Sequence, residues 1–145
     1  MEVSTLKKSA CDMPTFDEFK HIRRFWMPQH NRYGVKVVAG EFYVCDQDEL
    51  ITTVLGSCVS ACIRDVKVGI GGINHFLLPD SSCDILSASN RYGVFAMEQL
   101  INAIIKHGGQ RKNFEVKLVG GGNMIGGGGN DIGGSNIAFV KKFMA

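Results

Sequence analysis

Two apolar runs flank a four-residue interval and set the framework for everything around them: Cys58-Val-Ser-Ala-Cys-Ile-Arg64 and Gly69-Ile-Gly-Gly-Ile-Asn-His-Phe-Leu-Leu78, about a turn at Asp65 to Lys67. They read as paired strands, with glycines that permit a bulge or a close backbone approach. Pairing residues 58–64 with 70–76 about a centre near residue 67 sets Cys58 opposite a position close to His75, inside the range over which side chains across a strand pair meet. The spacing therefore permits a thiol and an imidazole to come together.

The flanking segments extend this framework. Val35-Lys-Val-Val-Ala, a turn near Gly40 and Glu41-Phe-Tyr-Val-Cys45 predict a further hairpin, and the acidic segment from Asp46 to Glu49 reads as loop. The clearest helix begins at Ser89 or Asn90, carries Val94, Met97, Leu100, Ile101, Ile104 and Ile105 at a 3.6-residue period, and stops at Gly108-Gly109. Phe114 to Val119 is a strand that runs into residues 120–134, of which nine in fifteen are glycine, so a mobile loop is expected there. Ser135 is placed to cap a last helix through Ile137, Val140 and Phe143 or Met144. Residues 1–33 read as an N-terminal extension with a short amphipathic helix: Thr15-Phe-Asp-Glu18 fits a capping box, and Phe16, Phe19, Ile22, Phe25 and Trp26 recur at helical spacing up to Pro28. Its expected role is to cover the domain formed by residues 34–145, with partner docking as the alternative.

A chain of 145 residues with 45% apolar and 21% charged residues has the size and hydrocarbon for one core. Its formal charge of +2 comes with no basic run and no stripe of interleaved aromatics, which argues against nucleic acid as a partner. No apolar stretch approaches the ~18 residues of a membrane helix, and Met1-Glu-Val-Ser-Thr-Leu-Lys-Lys lacks the apolar middle of a signal peptide, so the expectation is a cytoplasmic protein without membrane insertion. Cys11, Cys45, Cys58, Cys62 and Cys83 are odd in number and irregular in spacing, unlike a disulfide framework.

Three chemistries compete for these residues. Phosphate binding by the glycine-rich stretch is weak, because neither GxxxxGK[ST] nor GxGxxG occurs and no lysine lies between Lys117 and Lys141. Zinc held by Cys58, Cys62 and His75 fails on reach: two cysteines four residues apart in a strand lie roughly 13 Å from each other. Nucleophilic catalysis by Cys58 with His75 as base survives both objections, since an imidazole is the usual partner that turns a thiol into a thiolate. Gly56 lets the backbone come close to a substrate, and amides around Ser57 and Cys58 face a developing oxyanion on that reading. Asn74 and Ser57 serve equally well as binding residues or as strand and turn hydrogen-bonders.

The blocks Thr-Val-Leu-Gly-Ser-Cys-Val, Ile-Arg-Asp, Gly-Ile-Gly-Gly-Ile-Asn-His-Phe-Leu-Leu-Pro, Arg91-Tyr-Gly-Val-Phe-Ala-Met-Glu-Gln-Leu-Ile-Asn102, Lys117-Leu-Val-Gly-Gly-Gly and Gly-Ser-Asn136-Ile-Ala-Phe-Val resemble, in order, those of the chemoreceptor glutamine deamidases of the CheD family. The resemblance implies an α+β fold, a layered α/β sandwich with mixed and antiparallel sheets, similar to the catalytic domain of deamidating bacterial toxins. It implies Cys58 as nucleophile, His75 as base and Thr52 as the residue that orients the imidazole through its hydroxyl or carbonyl. Hydrolysis of a glutamine carboxamide by this set needs no metal or organic cofactor. The implied partners are the helical bundle of chemoreceptor cytoplasmic regions, as substrate, and a CheC-type response-regulator phosphatase; a non-catalytic role in binding that phosphatase is the alternative reading. Family members continue past the last helix with further strands, so this chain is expected to lack them and to be less stable and less active than longer relatives.

Overall fold

Strand-forming residues dominate the first half of the chain, and in the computed structural model they build two sheets; the structure describes residues 13–77, 88–122, 138 and 140–144. The smaller sheet has the order β1-β2-β4, from β1 (Arg24–Met27), β2 (Arg32–Lys36) and β4 (Leu50–Thr52). β1 runs antiparallel to β2, and β4 runs parallel to it, with Lys36 beside Thr52. The larger sheet has the order β3-β6-β5-β7, from β3 (Phe42–Cys45), β5 (Val59–Asp65), β6 (Gly71–Asn74) and β7 (Phe114–Gly120), and every pair in it is antiparallel. The fold is thus α+β with one mixed and one antiparallel sheet.

A long helix, α1 (Ala88–Lys106), covers one face of the larger sheet. Its buried positions Met97, Leu100, Ile101 and Ile104 repeat with the helical period and pack with Val44, Val59, Ala61, Ile63 and Phe76. It ends as expected at Gly108, whose φ of 109° is open to glycine, and the amides of Gly108 and Gly109 return to the carbonyls of Ile105 and Ile104. Among the described residues no helix is long and apolar enough to cross a membrane. Residues 138 and 140–144 are helical, with Val140 buried; Ser135 and residues 123–134 of the glycine-rich loop lie outside the described residues.

Two expectations are corrected. Where the short amphipathic helix was expected, before Pro28, the described residues instead form a 3₁₀ turn at Asp17–Phe19 followed by β1. Phe25 and Trp26, which fit a helical stripe, are also good strand formers, and the unpaired edge of β2 takes them up. Arg24 fixes the segment: its guanidinium is buried against Glu49 at 3.2 Å, donates to the Tyr43 hydroxyl at 2.9 Å and to the Met13 carbonyl at 2.9 Å, while Tyr43 also donates to Glu49. The predicted hairpin of Val35–Ala39 with Glu41–Cys45 does not form either. The turn at Gly40 carries the chain from one sheet to the other, so β2 and β3 never pair.

The hairpin of β5 and β6 is present. Its turn is locked by Asp65, fully buried, which accepts from the amides of Lys67 and Val68 and from those of Gln110 and the side chain of Asn113. Burial works to raise the Asp65 pKa, but these donors outweigh it and hold the carboxyl at about 2.

Candidate active site

Register decides where the chemistry of β5 and β6 points. The observed pairs Cys62 with Ile73 and Val59 with Phe76 share one register, in which Ser60 lies opposite His75 and Cys58 opposite Leu77. This is one residue away from the pairing expected from sequence, and the difference matters because a one-residue slip reverses every side chain. Ser60 and His75 consequently share the face turned away from α1, and strand alternation carried one residue past β5 puts Cys58 on that face as a diagonal neighbour of His75, a relation that spans roughly 7–8 Å at the backbone. Among the described residues no hydrogen bond joins the Cys58 thiol to the ring. His75 is 6% exposed and Cys58 half-buried.

His75 sits at the seam of the two sheets. Its amide donates to the Glu41 carbonyl at 3.0 Å and its carbonyl accepts from Gly40 at 2.8 Å, which fixes its backbone to the start of β3. Its ring Nδ1 lies 2.8 Å from the hydroxyl of Thr53, the first residue after β4. Thr52, the residue expected at this position, is committed elsewhere: its hydroxyl donates to the Val35 carbonyl at 3.0 Å and its carbonyl accepts from the Val37 amide at 2.9 Å. Neighbouring residues of an extended chain project in opposite directions, so only one of the two threonines can meet the ring.

The loop that carries the thiol is held by glycines from β7. Gly121 donates to the Cys58 carbonyl and Gly122 to the Gly56 carbonyl, each at 2.8 Å. Gly120 has φ of 95°, and a Cβ there would collide with the Cys58 carbonyl and press on Leu55. The first three glycines of the stretch read as a mobile loop therefore support the loop that carries Cys58. A glycine triplet directly after a strand was the available signal.

The remaining candidates separate cleanly. Asn74 is a brace: 2% exposed, its Oδ1 accepts from the Ala61 amide at 2.9 Å, and its Nδ2 donates to the Ala96 carbonyl of α1 at 3.3 Å. Burial pushes the Cys45 thiol up to about 12, with Glu49 adding to the shift. Burial also raises Cys62, against weaker opposing pulls from Ser60 and Lys117. Both are poor thiolates near neutral pH. The Ser60 hydroxyl, fully buried opposite His75, falls short of hydrogen-bond geometry with the Cys62 thiol and has no other partner among the described residues. Beside His75 on the α1 side, a cavity of about 160 Å³ is rimmed by exposed Tyr92 and Phe95 and lined by Glu41 and Gln99.

A helix laid on an antiparallel sheet, with a cysteine and a histidine on the sheet's other face, defines a layered α+β protein with a candidate thiol–imidazole site. The profile of CheD, described as CheD chemotactic sensory transduction, matches residues 77–145. A Hahella chejuensis protein named probable chemoreceptor glutamine deamidase CheD is 48% identical over 130 residues, covering 87% of this chain and 61% of that protein. Proteins of the same name from Halorhodospira halophila and Saccharophagus degradans are 51% and 43% identical, over 74% and 97% of this chain and 53% and 68% of their own lengths. The chain belongs to the CheD family. It spans between 53% and 68% of the length of these three relatives.

Proposed function

We propose that this chain hydrolyses glutamine side-chain amides to glutamate on chemoreceptor cytoplasmic bundles, using Cys58 as nucleophile and His75 as general base. The observation that supports the reading is the register of β5 and β6, by which half-buried Cys58 and the buried imidazole of His75 fall on one face; the names of the relatives suggest the substrate. His75 takes the thiol proton, the thiolate attacks the carboxamide carbon, and ammonia leaves with a proton from the imidazolium. Backbone amides around Ser57 and Cys58 receive the oxyanion, and water activated by the same ring then hydrolyses the thioester. Thiol–imidazole contacts of this kind often tighten only once substrate is bound. Thr52 contributes through the backbone, by holding the β2–β4 pair against which the ring is set. The reaction needs no cofactor and takes place in the cytoplasm, where the receptor bundle lies. Converting a neutral receptor residue to an anion biases the packing of that bundle. On the same reading the sandwich is related in architecture to the catalytic domains of deamidating toxins.

Mass spectrometry of receptor cytoplasmic fragments after incubation tests this, because each conversion adds about 1 Da and names its site. Gain with the wild-type chain and none with Cys58→Ala is the expected result. No gain from a folded wild-type sample would overturn the proposal and favour the second role, binding of a CheC-type phosphatase, for which the exposed Tyr92 and Phe95 beside the cavity offer an apolar contact.

A further inference from the structure

We propose that the Ser60 hydroxyl is a proton relay between the Cys58 thiol and the His75 ring, and that it bridges the ion pair the transfer creates. The inference rests on the reading of Cys58 as nucleophile and His75 as base, and it adds a third group to them. Register puts Ser60 at the corner of the site: it stands two positions from Cys58 along the chain and opposite His75 across the hairpin. Val59 and Phe76 exchange both backbone bonds, at 2.9 and 3.0 Å, so the next pair towards the turn, Ser60 and His75, is one without them. In keeping with this, the amide and carbonyl of His75 are turned the other way, to Glu41 and Gly40. In an antiparallel ladder such pairs are the closer kind, about 4.5 Å apart at Cα, with their side chains near each other.

The state of the hydroxyl singles it out. Ser60 is fully buried, and its Oγ has no hydrogen-bond partner among the described residues, the Cys62 thiol included. A buried hydroxyl left unpaired lowers stability, and an alanine in its place would not. The ionised site supplies the partners that the resting site withholds. A serine hydroxyl both donates and accepts, so it can take one proton while giving up another. The S–H bond of Cys58 breaks as an O–H bond forms on Ser60, and the original Ser60 O–H bond breaks as an N–H bond forms on Nε2 of the ring, whose Nδ1 is engaged by Thr53. Cys58 keeps the electron pair as a thiolate, His75 becomes imidazolium, and Ser60 is unchanged. Its hydroxyl then donates to the sulfur and accepts from Nε2–H, two charge-assisted bonds where there was none.

Ser60→Ala in the full chain tests the relay. Its thermal midpoint is expected to equal or exceed that of wild type, because no bond is lost; a clear fall would mean that the hydroxyl serves a structural partner, and would overturn the proposal. Alkylation of Cys58 by iodoacetamide at neutral pH, read by peptide mapping so that the other thiols are scored apart, is expected to slow about 10-fold as the thiolate loses its donor. An unchanged Cys58 rate in the folded variant overturns the proposal. In deamidation of receptor fragments kcat/KM should fall about 100-fold, and its solvent deuterium isotope effect should shrink, since one moving proton replaces two; an undiminished isotope effect overturns the relay. The alkylation result stands whether or not receptor is deamidated. A wild-type chain whose Cys58 reactivity depends on Ser60 but which converts no glutamine would sink the glutaminase reading and leave the relay in place, so the two failures are distinguishable.

Discussion

The two faces of the β5–β6 hairpin are built from the same fifteen or so residues, yet they do different work. On the α1 side lie Val59, Ala61, Ile63 and Phe76, all at most 1% exposed, with Asn74 as one fully bonded polar brace. On the other side lie Cys58, Ser60, Cys62, Arg64 and His75, with a Ser60 hydroxyl that has no partner among the described residues, a Cys62 thiol raised by burial and an exposed Arg64–Glu115 ion pair. Strand alternation is the whole cause of this division. Stability is concentrated on one face, which frees the other to hold polar groups that a packed core would exclude.

Substitutions can break or sharpen this contrast. The largest effect belongs to the polar face: Cys58→Ala should lower deamidation by about 10⁴- to 10⁶-fold while the thermal midpoint moves little, and a folding defect of similar severity would erase the distinction. Next comes the clamp behind β3. Glu49→Gln leaves the buried Arg24 guanidinium without its carboxylate, and a loss of about 3–5 kcal/mol is expected in denaturant unfolding. On the helix-facing side, Asn74→Ala strands the Ala61 amide and removes the brace to the Ala96 carbonyl of α1, with an expected loss of about 1–3 kcal/mol. Reactivity of Cys58 towards a thiol reagent should be unaltered in the folded fraction of that variant; a change there would mean that the two faces are coupled.

The smallest effect is a pH dependence at the closed end of the hairpin. Asp65 titrates at about 2 in the folded chain and near ~3.9 when unfolded. Its contribution is therefore complete above pH ~4 and is lost as pH falls towards 2, because the unfolded state binds the proton first. Acid unfolding curves of Asp65→Asn should lack that part of the acid limb, and an unchanged limb would assign it to other carboxyls.

Local pattern made the hairpin, α1 and β7 legible, because each follows from periodicity and a nearby turn or glycine stop. What sequence concealed was non-local. The parallel pairing of β2 with β4 brings together residues sixteen apart, and no local signal announces it. β1 was hidden because Phe16, Phe19, Ile22, Phe25 and Trp26 satisfy a helical period while the free edge of β2 and the Arg24–Glu49 pair select a strand. That Cys58 and His75 lie at one end of neighbouring strands followed from their spacing, whereas the hydroxyl at hydrogen-bond distance from the ring belongs to Thr53 and not to Thr52. Thr52 and Thr53 have the same chemistry, and only the direction of the pleat after β4 separates them.

The glycines at the end of β7 carry a genetic consequence. Because hydrogen is the only substituent that fits between Gly120 and the Cys58 carbonyl, even alanine there must push the thiol's own peptide unit aside. A saturation screen scored on chemotactic behaviour should rank position 120 among the least tolerant of change, although its residue bears no functional group.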